Sequence, residues 1–119
     1  MKFIKSFKNA FKGLGKGLVL QRNIRLQLIV AVVVIALSFI LRMDAVRISI
    51  ILLLCSVILA LEMINSSLER YIDYATPERA KEIGLVKDIL AGAVLLLSIV
   101  SIVIGFLLFT KPILHWLGK

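Results

Sequence analysis

Residues 89–110 read ILAGAVLLLSIVSIVIGFLLFT, 22 positions without a charge. At about 1.5 Å of rise per residue such a helix is about 33 Å long, enough to cross a hydrocarbon core of about 30 Å. Two upstream runs complete the pattern. Residues 26–41 are 16 uncharged positions between Arg25 and Arg42, short of the roughly 20 a crossing needs, but flanking arginines can snorkel and extend the span. The other crossing begins near Val46 or Ile48 and covers residues 46–68, with Glu62 and Asn65 in its last two turns. Asp44 falls in a very short turn between these two, and Pro112 is expected to end the third crossing. The pattern predicts an all-α membrane protein: three transmembrane helices in a single integral membrane domain over residues 1–119.

Composition excludes the other broad classes. With 119 residues and 61% hydrophobic content, and a mean hydropathy of +1.03, the chain is too apolar for an ordinary soluble domain. Its net charge of +8 comes from bases beside membrane-length apolar runs, where they meet anionic headgroups rather than nucleic acid. Cys55, the single cysteine, lies inside an apolar run, so neither an internal disulfide nor a cysteine metal cluster can form.

The first 20 residues alternate lysine with large apolar residues at helical spacing. At about 100° per residue, Phe3, Phe7, Phe11 and Leu14 fall on one arc, with Lys2, Lys5, Lys8, Lys12 and Lys16 opposite. This predicts an amphipathic surface helix, its phenylalanines sunk to the headgroup boundary. A signal peptide fits less well, because the charged region is long and no small-residue cleavage site follows the next apolar run. Lys12-Gly13-Leu14-Gly15-Lys16-Gly17 is not a phosphate loop, which needs four residues between its glycines, then Lys and Ser or Thr, after a strand. The three glycines are instead expected to loosen the helix end and let the chain bend into the first span.

Basic residues set the orientation. The N-terminal segment and the connection between the second and third spans carry eleven Lys and Arg, the opposite side four. The positive-inside rule then puts the N-terminus and residues 62–88 in the cytoplasm, in reach of ATP. In that connection Thr76-Pro77-Glu78 reads as N-cap, first helical residue and first-turn acid, starting a short helix that stops around Gly84.

Residues 62–88 carry the chemistry. Glu62, Asn65, Ser66, Glu69 and Asp73 stand at i, i+3, i+4, i+7 and i+11, one face of a helix, and Lys87-Asp88 opens the next span, expected at the same membrane depth. Carboxylates and carbonyl oxygens suit Mg²⁺, which binds through one or two carboxylates plus substrate phosphates. Lysine can neutralise phosphate charge, and a desolvated carboxylate can take a proton from a hydroxyl nucleophile. Together these are the parts of a phosphoryl transfer site. The competing reading is a noncatalytic small membrane subunit whose polar face binds partner helices. Packing is the favoured role for Ser66, Ser98, Ser101 and Gly105, on faces suited to close approach, but two acids on one face without a basic partner on the same helix are costly as glue. An ion pore would spread carboxylates along a span, whereas these cluster at one end.

Glu62-Met-Ile-Asn65-Ser66-Ser67-Leu68-Glu69, with Asp73 and then Lys87-Asp88-Ile-Leu-Ala-Gly-Ala-Val94, resembles the signature of the prokaryotic diacylglycerol kinase and undecaprenol kinase family, and the resemblance covers nearly the whole chain. It implies a bacterial inner-membrane homotrimer with sites shared between subunits, moving the ATP γ-phosphate to a lipid hydroxyl with Mg²⁺. Carried over, Glu62 is the general base and Glu69 the metal-binding carboxylate. Lys87, Asp88, Glu78 and Arg79 contact nucleotide, while Asn65, Ser66 and Arg25 bind substrate or support the site. Gln21 departs from the pattern: it stands where many members carry a second metal-binding glutamate, which implies a weaker or more water-rich Mg²⁺ site. Ala80 stands where histidine is common, and lone His115 reads as an interface residue. Gln21-Arg-Asn-Ile-Arg25 resembles members outside the diacylglycerol type, leaning towards undecaprenol as acceptor.

Overall fold

A computed structural model describes residues 1–76 and 81–119. It holds four helices: α1 (Lys2–Leu20), α2 (Arg22–Ile40), α3 (Ala45–Ala75) and α4 (Lys81–Trp116). The last three are long and apolar enough to cross a membrane, as the uncharged runs predict. In hydrocarbon every backbone N–H and C=O must bond within its own segment, which only a helix or a closed barrel achieves. α3, with 31 residues, is about 46 Å long. It is therefore longer than a core of about 30 Å requires, and its polar residues gather in its C-terminal third.

The bend into the first span is not at the glycines. α1 continues through Gly13, Gly15 and Gly17 to Leu20, and the chain turns at Gln21, whose φ −118° and ψ 115° are extended. Gly17 instead faces α2 and α3, where a Cβ would lie in ordinary van der Waals contact, 3.6 Å from Ile24 Cδ1 and 3.6 Å from Met63 Cε. Intact i to i−4 bonding through the triplet outweighs the roughly 1 kcal/mol per glycine lost in helix propensity.

The corner between α2 and α3 is built by backbone. Met43 N–H donates to Ser38 O at 3.1 Å and Arg42 N–H to Phe39 O at 3.0 Å, a Schellman motif that requires a left-handed residue. Arg42 takes that place at φ 53°. A side chain there costs about 1–2 kcal/mol, against about 0.4–1 kcal/mol of added unfolded-chain freedom if it becomes glycine. Arg42→Gly is thus expected to stabilise by roughly 0.5–1 kcal/mol, read as a raised thermal midpoint in detergent. An unchanged or lower midpoint would show that the arginine side chain contributes more than its backbone costs.

Two helix ends correct the sequence reading. Gly84 lies inside α4 and stops nothing, so residues 81–88 are the first turns of the third spanning helix rather than part of a separate short one. The expected start at Pro77 and Glu78 lies outside the described residues. Pro112 also lies within α4, which runs on to Trp116. The stop comes where Lys119 N–H donates to Leu114 O at 2.9 Å and Gly118 N–H to His115 O at 3.0 Å, with Gly118 at φ 82°. A proline removes one bond, but only a left-handed residue closes the terminal carbonyls.

The apolar core is small. Ile24, Met43 and Ile51 are its buried members among the described residues, and no residue of α4 is buried as a whole. The molecule extends over 58 × 43 × 20 Å, its thin dimension about two helix diameters. An apolar cleft of about 440 Å³ runs between α2, α3 and α4, with Ser98, Ser101 and Gly105 on its α4 wall. A Cβ on Gly105 would meet nothing within 4 Å, so the small-residue face is open within one chain.

Candidate active site

The polar residues of α3 form a gradient from buried to exposed. Glu62 is 6% exposed, and Asn65 and Ser66 are each 8% exposed. Glu69 is half-buried and Asp73 exposed. One unbroken helix makes this order, because steps of three and four residues keep one face while each turn moves it about 5.4 Å along the axis. Glu69 then lies about 10 Å from Glu62, and Asp73 about 16 Å.

Among the described residues the carboxylates at the buried end lack cationic partners. Ion pairs among the described residues join Arg47 to Asp44 at 3.5 Å and Lys87 to Asp73, leaving Glu62 and Glu69 out. Asn65 Oδ1 is buried without a hydrogen-bond partner. Burial of an unpartnered amide oxygen costs about 1–3 kcal/mol, and an unpaired carboxylate costs more. A helix that keeps both within one turn holds acceptors ready for something else to complete.

The Lys87–Asp73 pair joins the start of α4 to the polar face of α3. Lys87 is level with the outer end of the α3 face rather than with Glu62, and Asp88 is exposed beside it. Antiparallel packing of α3 and α4 sets this register, which neither helix alone encodes. Glu78 and Arg79 lie outside the described residues.

Along the flank of the same α3 face the structure brings Gln21 to a cavity of about 170 Å³ between α1, α2 and α3. Lys16, Ser66, Ser67 and Arg70 share its lining. Lys16, Ser67 and Arg70 were not among the residues singled out from the pattern. Arg70 lies two turns beyond Glu62 and one beyond Ser66, a signal that was available, whereas Lys16 stood on the arc assigned to water. Arg25 holds the corner rather than the cavity: its Nη1 donates to Leu18 O at 3.0 Å and Val19 O at 2.7 Å. A guanidinium on the last carbonyls of α1 satisfies orphan acceptors and opposes the helix dipole.

The set fits a hard cation only together with a ligand that brings oxygens of its own. Among the described residues no three His, Cys, Asp or Glu side chains gather closely enough to hold a metal. Glu69, with the orphaned Asn65 Oδ1 one turn away, offers one carboxylate and one amide oxygen. That matches Mg²⁺, which keeps several waters and binds chiefly through substrate phosphates. Gln21, neighboured by Lys16 and Arg70, offers a cation little.

Residues 8–109 match the model of a family described as prokaryotic diacylglycerol kinase. A diacylglycerol kinase from Synechocystis is 31% identical over 110 residues, covering 92% of this chain and 63% of its own length. An undecaprenol kinase from Bacillus subtilis is 30% identical over 108 residues, covering 91% of this chain and 88% of its own length. The chain thus spans somewhat under two thirds of the first relative and most of the second.

Proposed function

The chain belongs to the prokaryotic diacylglycerol kinase family, and from that membership we propose that it is an ATP-dependent lipid kinase. It phosphorylates the hydroxyl of a membrane lipid, undecaprenol or diacylglycerol, at the cytoplasmic face of a bacterial inner membrane. The observation that carries the reading is Glu62, a carboxylate 6% exposed and outside both ion pairs, on the face that leads to water. The chain works as a single membrane domain, its N-terminus cytoplasmic and α1 lying on the membrane surface.

The order along α3 supports an order of events. Nucleotide enters at the exposed end, where Lys87 leaves Asp73 for phosphate and Asp88, with Glu78 and Arg79, contacts the remainder. Glu69, with Asn65, holds the Mg²⁺ borne by the phosphates. When bound, Mg²⁺ neutralises phosphate charge as it builds on the leaving oxygen. The acceptor hydroxyl lies in lipid at Glu62. Its oxygen bonds to the γ-phosphorus as the bond to the β,γ-bridging oxygen breaks, releasing ADP, and its proton passes to the Glu62 carboxylate. Water excluded from the buried Glu62 cannot compete for the phosphoryl group. Asn65 and Ser66 steady these groups; Arg25 fixes the α1 corner.

No residue of α4 is buried as a whole within one chain, while its Ser101 Oγ, already covered there, lacks a hydrogen-bond partner. Both support a homotrimer in which neighbouring copies cover α4 and share sites. The acceptor is decided by presenting undecaprenol and diacylglycerol in separate mixed micelles with γ-labelled ATP and Mg²⁺. The reading expects label in at least one lipid. Label in neither, from folded protein, would favour the noncatalytic subunit that binds partner helices through the same polar face.

A further inference from the structure

We propose that the cavity between α1, α2 and α3 is a binding site for a phosphate monoester dianion, the headgroup of a phosphorylated lipid or free phosphate. The proposal deepens the kinase reading, on which its connection to the product rests.

The lining explains the preference. Lys16 and Arg70, both exposed, line a cavity of about 170 Å³ together with Gln21, Ser66, Ser67 and the apolar Leu20, Ile24 and Met63, with no carboxylate on its wall. Neither base belongs to an ion pair among the described residues. A phosphate monoester carries about −1.5 to −2 charges near pH 7, so two cations match it. Arginine can grip two of its oxygens at once, lysine adds a point charge, and the amide of Gln21 with two hydroxyls supplies neutral donors. The volume of about 170 Å³ admits a phosphate group together with several waters. The same charges repel a divalent cation. Gln21, which stands where the family resemblance implies a metal-binding glutamate, therefore acts here as a donor to an anion.

Location makes the site useful. Ser66 is buried on the α3 face that carries Glu62 and Asn65, and it opens onto the cavity. A newly phosphorylated headgroup can leave the Glu62 face through this serine towards Lys16 and Arg70 without crossing hydrocarbon. Occupancy by product would then slow the next acceptor.

The test needs no catalysis. The full chain is placed in zwitterionic lipid nanodiscs and titrated, without ATP, with a short-chain phosphatidic acid, inorganic phosphate, a phosphatidylglycerol and Mg²⁺ alone, followed by ³¹P shifts and the Gln21 side-chain amide resonance. Expected is saturable binding of the phosphatidic acid that moves the Gln21 amide, weakened about tenfold by Lys16→Gln or by Arg70→Gln and retained in Lys16→Arg. Inorganic phosphate competing equally identifies free phosphate as a ligand; failure to compete assigns the site to the lipid headgroup. The proposal is overturned if the charge-neutral variants bind like the parent, if the phosphodiester binds as well as the monoester, or if Mg²⁺ alone moves the Gln21 amide. Phosphate binding in a protein that transfers no label would sink the kinase reading and leave the site standing.

Discussion

Glu62→Gln is expected to lower the transfer rate by about 10²–10⁴, the range that a positioned general base contributes. The substitution keeps shape and burial and removes only the carboxylate. Because Glu62 is 6% exposed and outside both ion pairs, neutralising it should leave the thermal midpoint unchanged or raise it. Loss of activity with retained stability separates a chemical role from a packing one. The KM for ATP should hardly move, since the Lys87–Asp73 pair lies about 16 Å further along α3. Measuring kcat, KM and thermal midpoint together checks all three; a variant that turns over at the parent rate would remove Glu62 as base.

Glu69→Gln is expected to cost roughly a hundredfold at fixed Mg²⁺, the scale of one lost contact to transition-state charge. Here the loss should be recovered in part by raising Mg²⁺, because a neutral oxygen still coordinates weakly. Glu62→Gln should show no such recovery. Rates titrated against Mg²⁺ for the two variants thus assign two carboxylates on one helix face to different work. Identical Mg²⁺ dependence in both would dissolve the division.

Part of this site is legible in the residues alone. Glu62, Asn65, Ser66, Glu69 and Asp73 share a face because helical periodicity is local, and the three spans follow from solvent that permits little but helix. What packing decides is harder to read. The bend at Gln21 rather than at Gly13, Gly15 and Gly17 depends on where α1 meets α2, and Arg25 fixes it from a turn beyond. Pro112 reads as a stop, yet the terminal carbonyls are closed at Gly118. The level of Lys87 follows from the antiparallel register of α3 and α4, a relation between distant segments. Lys16 and Arg70 meet at the cavity although 53 positions separate their numbers in the sequence.

On the proposed function, the α3 face moves phosphate from nucleotide in water to an alcohol in lipid. This transfer is tested most directly by sealed vesicles that hold the purified chain with undecaprenol and diacylglycerol in the bilayer, with γ-labelled ATP and Mg²⁺ supplied to one side. Label should appear in the lipid fraction as a phosphate monoester, and Glu62→Gln vesicles should carry about 10²–10⁴ less. Unlabelled lipid from folded protein, or equal labelling by the variant, would contradict it.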